Sequence, residues 1–172
     1  IRVHNKIILI FVLHIFFISC RKKGSESVPE NISTEKFTIF NTSNSSIPSN
    51  NIYCIFISNS GEKWFGTDAG LVLYNNSGWT VFNTSNSQLP DNQINDIVVA
   101  SSSVIWVGTD KGLVKYDGTN WTIYTTANSD LPSDKIRALA IDFNQNIWIG
   151  TFSGGGLSKF NSTDWTVYTP SN

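Results

Sequence analysis

A repeat with a fixed period of 42 residues is the feature that most constrains what this chain can fold into. Trp64, Trp106 and Trp148 recur at that spacing, and each is followed, after one further residue, by a Gly-Thr pair. A proline ahead of each copy keeps the same step, at Pro48, Pro90 and Pro132. A period of about 40–45 residues indicates one supersecondary unit repeated along the chain. The sequence therefore predicts a repeat architecture with three similar units.

The repeating unit is composed of short segments with strand character. In the second copy, residues 93–99 are rich in β-branched side chains, and the segments 105–109, 113–116 and 121–125 follow after short polar turns. The pair Asp117-Gly118 is typical of a β-hairpin turn. Four antiparallel strands in a repeat of this length describe one blade of a β-propeller. We therefore predict an all-β fold, a partial β-propeller with three four-stranded blades in an open arc, preceded by a signal peptide.

The repeats also predict the organisation of the chain. Residues 1–20 have a basic start and an apolar run, Ile7 to Ile18, that is too short to span a bilayer and is typical of a signal peptide. Residues 21–36 are polar and predict a flexible tether. The propeller part is predicted to contain an outer strand at 37–41 and blades at 42–83, 84–125 and 126–169. Because propellers close with four to eight blades, we expect either a fragment of a longer chain or oligomerisation through the open blade edges.

The end of the apolar run predicts how the protein is anchored. Phe17-Ile18-Ser19-Cys20 resembles a bacterial lipobox, which predicts lipidation of Cys20 and contact with the membrane only through that lipid. Phe17 departs from the Leu, Val or Ile usual at this position, so an ordinary cleaved signal peptide or a short hydrophobic anchor are alternatives. All three place the remaining chain outside the cytoplasm. The expected location is that of a periplasmic or outer-membrane lipoprotein of a bacterium.

Charge and residue usage exclude several classes of function. The net charge is −1 and charged residues make up only 15% of the chain, so there is no electrostatic footprint for nucleic acid. Both histidines, His4 and His14, lie in the predicted signal peptide, which excludes Ser-His-Asp and Cys-His catalysis and His-rich metal sites in the remainder. Cys54 is interpreted as a small strand residue, and Asp142 to Asn146 as a hairpin turn and not a calcium loop. We predict no enzyme activity, no cofactor and no metal.

Several motifs recur in every copy and identify a resemblance. They are the W-x-G-T motif, the stretches that end in Leu-Pro or Ile-Pro, the closing W-T-x-(Y/F) strands, and the glycine-leucine pairs Gly70-Leu71, Gly112-Leu113 and Gly156-Leu157. From residue 37 to 172 the pattern resembles the two-component regulator propeller repeat of bacterial extracytoplasmic proteins. This resemblance implies a non-catalytic module that senses a ligand or binds a protein or glycan. The alternative is an accessory propeller portion of a larger secreted glycan-degrading enzyme.

The tryptophans have two interpretations. An aromatic face suits the apolar face of a pyranose, so the six tryptophans of the repeats offer a sugar-stacking surface. Because they recur identically in every copy, we interpret them instead as residues that pack blade against blade.

The candidate binding site lies where the copies differ. One equivalent position, at the entry to the innermost strand, changes identity from copy to copy, and so does the turn that follows each W-x-G-T motif. That turn also has two extra residues in the third copy. In a propeller these segments lie on one face near the central channel, so we predict a ligand-binding site for an oligosaccharide or a protein; neutral drift of the surface is the alternative. We call this set the variable rim: Tyr53, Asn95, Arg137, Asp68, Asp110 and Phe152.

Overall fold

A computed structural model describes residues 38–101, 104–152 and 154–168. The chain divides into two units, residues 1–37 and 38–172, and all described residues belong to the second. The signal peptide and tether predicted for residues 1–36, including Cys20, lie outside the described residues.

The described residues form three four-stranded antiparallel sheets and contain no helix. Each sheet is built from consecutive strands, with the first strand at one edge and the fourth at the other. This confirms the predicted fold, an all-β chain of three four-stranded blades.

Blade 1 comprises β1 (Ile52–Ile57), β2 (Lys63–Thr67), β3 (Leu71–Asn75) and β4 (Gly78–Phe82). Blade 2 comprises β5 (Ile94–Ser101), β6 (Val104–Thr109), β7 (Gly112–Tyr116) and β8 (Trp121–Tyr124). Blade 3 comprises β9 (Ile136–Ile141), β10 (Ile147–Thr151), β11 (Leu157–Phe160) and β12 (Trp165–Tyr168).

The outer strand predicted for residues 37–41 is wrong where the chain is described, because residues 38–41 have no strand conformation. A strand needs a neighbour to which its backbone can hydrogen-bond, and β4 obtains one from β3 of its own sheet. No described strand takes that place beside residues 38–41. Phe40 nevertheless packs against blade 1 without a neighbouring strand. Its ring centroid lies 5.9 Å from that of Tyr74 and 5.3 Å from that of Trp79.

Two hydrophobic cores lie between consecutive blades. The core between blades 1 and 2 is formed by Trp64, Leu71, Leu89, Ile94, Ile97, Ile105, Val107 and Val114. The core between blades 2 and 3 is formed by Trp106, Leu113, Leu131, Ile136, Leu139, Ile147, Ile149 and Phe160. Each fully buried aliphatic side chain contributes about 1.5–3 kcal/mol. Trp64 and Trp106 are 6% and 2% exposed, so the first tryptophan of these two repeats packs blade against blade, as predicted.

The threonine of the W-x-G-T motif holds the turn that follows it. Thr67 Oγ1 donates to the carbonyl of Gly70 at 2.7 Å, and Thr109 Oγ1 to that of Gly112 at 2.8 Å. In blade 3 the turn is longer, and Thr151 Oγ1 reaches the carbonyl of Gly156 at 3.0 Å. The motif therefore encodes the end of the second strand and the geometry of the turn beside the variable rim.

The face of blade 1 that points away from blade 2 is not covered by another described blade, whereas the equivalent faces of blades 2 and 3 are covered by the preceding blade. Ile55 is 58% exposed, whereas Ile97 and Leu139, at the same repeat position, are 5% and 8% exposed. Those two are buried in the interfaces with blade 1 and blade 2, respectively. Within the described residues the three blades are thus an open arc, in agreement with the prediction.

Candidate functional site

The innermost strand of every blade begins with a β-bulge. The pairing of β1 with β2 shifts register between Ile52 and Cys54, which leaves Tyr53 as the extra residue. The same shift leaves Asn95 unpaired in β5 and Arg137 unpaired in β9. A bulge redirects a side chain, and bulges are over-represented beside functional sites. The position that varies among the copies is therefore an irregularity of the backbone in all three blades.

Four residues of the variable rim form one cluster that joins blades 2 and 3. Asn95 Nδ2 donates to Asp110 Oδ1 at 2.7 Å and to the carbonyl of Ile136 at 2.8 Å. Arg137 Nη1 donates to Asn95 Oδ1 at 3.2 Å. The guanidinium carbon of Arg137 lies 5.1 Å from the centroid of the Phe152 ring, which is within the range of a cation–π contact.

The blade 1 part of the variable rim is separate from this cluster. Asp68 Oδ2 accepts a hydrogen bond from Asn51 Nδ2 at 2.7 Å. This bond is the main reason that the pKa of Asp68 lies below its ordinary value. Tyr53 is 53% exposed, and it has no hydrogen bond or ring contact with another described residue. The structure therefore brings together four of the six predicted residues and places the other two on the neighbouring blade.

The cluster leaves polar and aromatic groups available to a ligand. Arg137 is exposed and uses one hydrogen bond, to Asn95, within the described part of the chain. A guanidinium group carries five N–H donors, so most of its donors face solvent. Phe152 is 52% exposed and offers an aromatic face next to them. This arrangement suits a hydroxyl-rich or carboxylate-bearing molecule that also has an apolar face.

Sequence reasoning missed residues that support the variable rim. Gln93 Nε2 donates to Asn95 Oδ1 at 3.2 Å, and Asn51 holds Asp68 in the equivalent part of blade 1. Both lie two residues before the variable position, and residues i and i+2 lie on the same face of a strand. The same position is Lys135 in blade 3. Variation at this second position was the signal that could have revealed them.

Asp96 also connects two blades, which the sequence did not reveal. Its Oδ2 accepts from the backbone N–H of Leu139 at 2.8 Å, and its Oδ1 accepts from that of Ile97 at 2.9 Å. Burial raises the pKa of Asp96 despite these bonds. Cys54 holds the equivalent position in blade 1, where burial and the nearby Asp96 carboxylate raise the pKa of its thiol to about 12. Cys54 is therefore a protonated packing residue at neutral pH and not a nucleophile.

The segment Asp142 to Asn146 forms the turn between β9 and β10. Asp142 Oδ1 accepts from the backbone N–H groups of Asn144 and Asn146, both at 2.9 Å. Its Oδ2 accepts from Asn146 Nδ2 at 2.8 Å and from Trp148 Nε1 at 3.0 Å. The carboxylate is thus occupied by its own hairpin. Nowhere in residues 38–101, 104–152 and 154–168 do three His, Cys, Asp or Glu side chains group as metal ligands would.

The comparison with protein families bears directly on the variable rim. The model described as "Two component regulator propeller" matches residues 88–111 and 130–153. Two segments of the chain, one in blade 2 and one in blade 3, are thus similar to this family of propeller repeats. The matched segments contain β5, β6, β9 and β10, and with them the cluster of Asn95, Asp110, Arg137 and Phe152. No match to a curated protein is found.

Solved structures share the fold of these repeats. The extracellular domain assigned to a hybrid two component system of B. thetaiotaomicron is 28% identical, with a TM-score of 0.68 over 79% of this chain and 19% of that chain. The present chain therefore spans about a fifth of the length of that domain. The extracellular domain assigned to a one component system of the same organism is 21% identical, with a TM-score of 0.57 over 67% of this chain and 16% of that chain.

An enzyme is also found among the similar structures. Virginiamycin B lyase from Staphylococcus aureus is 17% identical, with a TM-score of 0.56 over 71% of this chain and 42% of that chain. At this level of identity the likeness extends to the fold alone, because one fold carries many unrelated activities.

A search of the described residues for a membrane-spanning helix, which must be both long and apolar, finds none.

Proposed function

We propose that this chain is part of a non-catalytic, extracytoplasmic propeller module that recognises a ligand for sensing, and that the variable rim contacts the ligand. The observation that carries the proposal is the β-bulge at Tyr53, Asn95 and Arg137, because the same backbone irregularity presents a different side chain in each of the three blades. The likeness to an extracellular domain of a two component system supports a sensing role and a location outside the cytoplasm.

The ligand class follows from the chemistry of the rim. Arg137 supplies several N–H donors, which suit hydroxyl groups or a carboxylate. Phe152 and Tyr53 are both more than half exposed and suit the apolar face of a sugar ring. Asp110 Oδ1 already accepts a hydrogen bond from Asn95, so this oxygen is used within the rim, and Arg137 is the side chain with several free donors. We therefore propose a neutral or weakly acidic oligosaccharide as the ligand.

Calorimetric titration against a panel of neutral and uronic-acid-containing oligosaccharides tests this proposal. We expect Arg137→Ala to cost about 1.5–3 kcal/mol of binding free energy if its partner is a carboxylate, and about 0.5–1.5 kcal/mol if the partner is neutral. Arg137→Lys keeps the charge but loses the planar fork of donors, so it should restore only part of the affinity.

A matched control separates stacking from a general effect of removing a surface aromatic residue. Phe152→Ala and Tyr53→Ala should both weaken binding, whereas Phe143→Ala should not. Phe143 is a fully exposed aromatic residue in the turn between β9 and β10, at the opposite end of β9 from the bulge. Binding that is unaffected by Arg137, Tyr53 and Phe152 substitutions would exclude the variable rim as the site and would favour a protein-interaction scaffold.

We propose in addition that lipidation of Cys20 anchors the protein. The support is the lipobox-like sequence Phe17-Ile18-Ser19-Cys20. A Cys20→Ala variant expressed in a bacterium should accumulate uncleaved or leave the membrane fraction. Unchanged membrane association without incorporation of labelled fatty acid would exclude this anchor.

A further inference from the structure

A cleft at the outer strands of blades 2 and 3 is lined by none of the residues of the variable rim. It has a volume of about 590 Å³ and opens between the loop that follows β8 and the turn that joins β11 to β12. Its floor is aromatic and its walls are polar. We call it the edge cleft and define it by Tyr124, Asp130, Phe160, Ser162, Thr163 and Trp165.

The floor of the edge cleft is a preformed group of three aromatic rings. Phe160 and Trp165 are stacked with centroids 4.5 Å apart and an interplanar angle of 25°. Tyr124 from blade 2 meets Trp165 edge-on at 5.8 Å. Phe160 is buried, whereas Tyr124 and Trp165 are half-buried. Because the rings hold one another in place, a ligand would not have to order them, and preorganisation of this kind favours binding.

The aromatic group alone is inter-blade packing, because it occurs at every blade. Phe82, Tyr116 and Trp121 have the same arrangement, with centroid distances of 5.6, 5.5 and 4.2 Å. The edge cleft differs from the other blades at three equivalent positions, where it gains a phenol hydroxyl, a carboxylate and a serine hydroxyl. Tyr124 replaces Phe40 and Phe82, Asp130 replaces Ser46 and Gln88, and Ser162 replaces Asn76 and Gly118.

The polar groups of the edge cleft are available for new hydrogen bonds. Tyr124 Oη, the Asp130 carboxylate and the hydroxyls of Ser162 and Thr163 have no hydrogen-bonding partner among the described residues. The neighbouring Asn128 and Ser129 differ, since Asn128 Nδ2 donates to the carbonyl of Ile123 at 2.9 Å and Ser129 Oγ to that of Thr125 at 2.7 Å. Only part of the polar lining is therefore used to build the loop.

Charge restricts the kind of ligand. The lining contains one carboxylate and no Lys or Arg, so it does not favour an anion. Burial raises the pKa of Tyr124 above its ordinary value, so its phenol stays protonated and can donate. Two hydroxyls, a phenol and a carboxylate around an aromatic floor match a ring that has several hydroxyl groups and one apolar face.

From this combination we infer that the edge cleft binds a neutral hexopyranose unit of an oligosaccharide. The C–H face of the sugar stacks on Trp165, and its hydroxyl groups bond to Asp130, Ser162 and Thr163. This site is distinct from the variable rim and does not depend on the proposed function, which uses other residues on the innermost strands.

Substitutions that introduce the equivalent residues from the junction of blades 1 and 2 (Phe82, Gln88 and Gly118) provide a test with little risk to folding. Tyr124→Phe removes only the phenol oxygen, Asp130→Gln alters an exposed residue, and Ser162→Gly places glycine at a positive φ of 80°, where Gly118 has 96°. A residue with a Cβ is strained in that region, so Ser162→Gly should not lower stability. The triple variant keeps the aromatic floor, loses the hydroxyls of Tyr124 and Ser162, and exchanges the Asp130 carboxylate for a neutral amide.

Titration of the full chain with maltotriose, cellotriose and mannotriose, followed by saturation-transfer NMR, tests the inference. We expect the wild type to bind at least one of them, and the triple variant to bind it at least about tenfold more weakly. Phe143→Ala, at an exposed residue outside both the edge cleft and the variable rim, should leave this binding unchanged. Binding that is lost in Arg137→Ala but kept in the triple variant would place the sugar at the variable rim and would overturn the inference. Absence of binding at about 10 mM of each sugar, equal affinity in the triple variant, or tighter binding of trigalacturonate would overturn the inference.

Discussion

Ile136, at the start of β9, packs so closely on Gly108 in β6 that a methyl group added to Gly108 would lie 2.7 Å from Ile136 Cγ2. Ile94 has the same relationship to Gly66, also at 2.7 Å. At Gly150, by contrast, the nearest atom is Ala138 Cβ at 3.5 Å. At Gly108 the absence of a side chain is therefore required by the approach of the next blade, whereas at Gly66 both the next blade and Cys54 Sγ of the same blade occupy the space.

This relationship predicts different effects of one substitution at equivalent positions. Gly108→Ala should lower the free energy of unfolding by about 1–3 kcal/mol, because the side chain of Ile136 must be displaced from a packed core. Gly150→Ala should change it by no more than about 0.5 kcal/mol, since the added methyl group would make an ordinary van der Waals contact with Ala138. Urea unfolding followed by tryptophan fluorescence provides the measurement. Equal losses at both positions would mean that the glycine serves the strand itself.

A buried hydroxyl in β11 predicts a stabilising substitution. Ser158 is fully buried, and its Oγ has no hydrogen-bonding partner among the described residues. The same position is Val72 in blade 1 and Val114 in blade 2, both fully buried. Because an unsatisfied buried polar group costs about 1–3 kcal/mol, Ser158→Val should raise the free energy of unfolding by a similar amount.

The reverse substitution is the control for this prediction. Val114→Ser should lower the free energy of unfolding, because it places a hydroxyl in the equivalent core position of blade 2. A Ser158→Val variant that is less stable than the wild type in thermal unfolding would show that the Ser158 hydroxyl has a partner, such as a buried water molecule.

The fold was predictable because the information for it is local and repeated. Tight turns such as Asp117-Gly118 and the buried threonines Thr67 and Thr109 define the ends of strands within a few residues. The prediction of a strand at residues 37–41 was wrong because strand formation also depends on a non-local partner. The side chains of this segment have strand character, but a strand exists only with a partner, and propensity does not contain that information.

The location of the variable rim was predictable, but its internal contacts were not. Differences between copies pointed to Asn95 and Arg137, since a scaffold residue would recur. The bulge depends on the register between two strands, which neither strand encodes alone. The bond from Asn95 to the carbonyl of Ile136 joins residues 41 apart in sequence, and that contact exists only because two blades pack together.

The high pKa of Cys54 predicts that this thiol is protected from alkylation. The thiolate is the reactive form, and a pKa of about 12 leaves only a very small thiolate fraction at pH 8. In a Cys20→Ser background, iodoacetamide should modify Cys54 at least about a hundredfold more slowly in the folded protein than in urea. Mass spectrometry of the peptide that contains Cys54 measures both rates, and comparable rates would contradict its protonated, packed state.

The hairpin carboxylate of Asp142 predicts a pH dependence of stability. Hydrogen bonds from Asn146 and Trp148 lower the pKa of Asp142 from 3.8 to about 2. A lowered pKa in the folded state means that the folded protein binds the proton less readily than the unfolded chain does. The contribution of Asp142 to stability is therefore complete above pH 3.8 and is lost as the pH falls toward 2.

Comparison of the wild type with Asp142→Asn isolates this contribution from other titrating groups. The variant should be less stable than the wild type at pH 6, because Asn supplies one acceptor oxygen where Asp142 uses two. The difference should shrink steadily between about pH 4 and pH 2. Asp130→Asn is the matched control, since the Asp130 side chain makes no hydrogen bond within the described residues. Urea unfolding at several pH values supplies the measurement, and a stability difference for Asp142→Asn that does not change with pH would show that the carboxylate charge has no part in holding the hairpin.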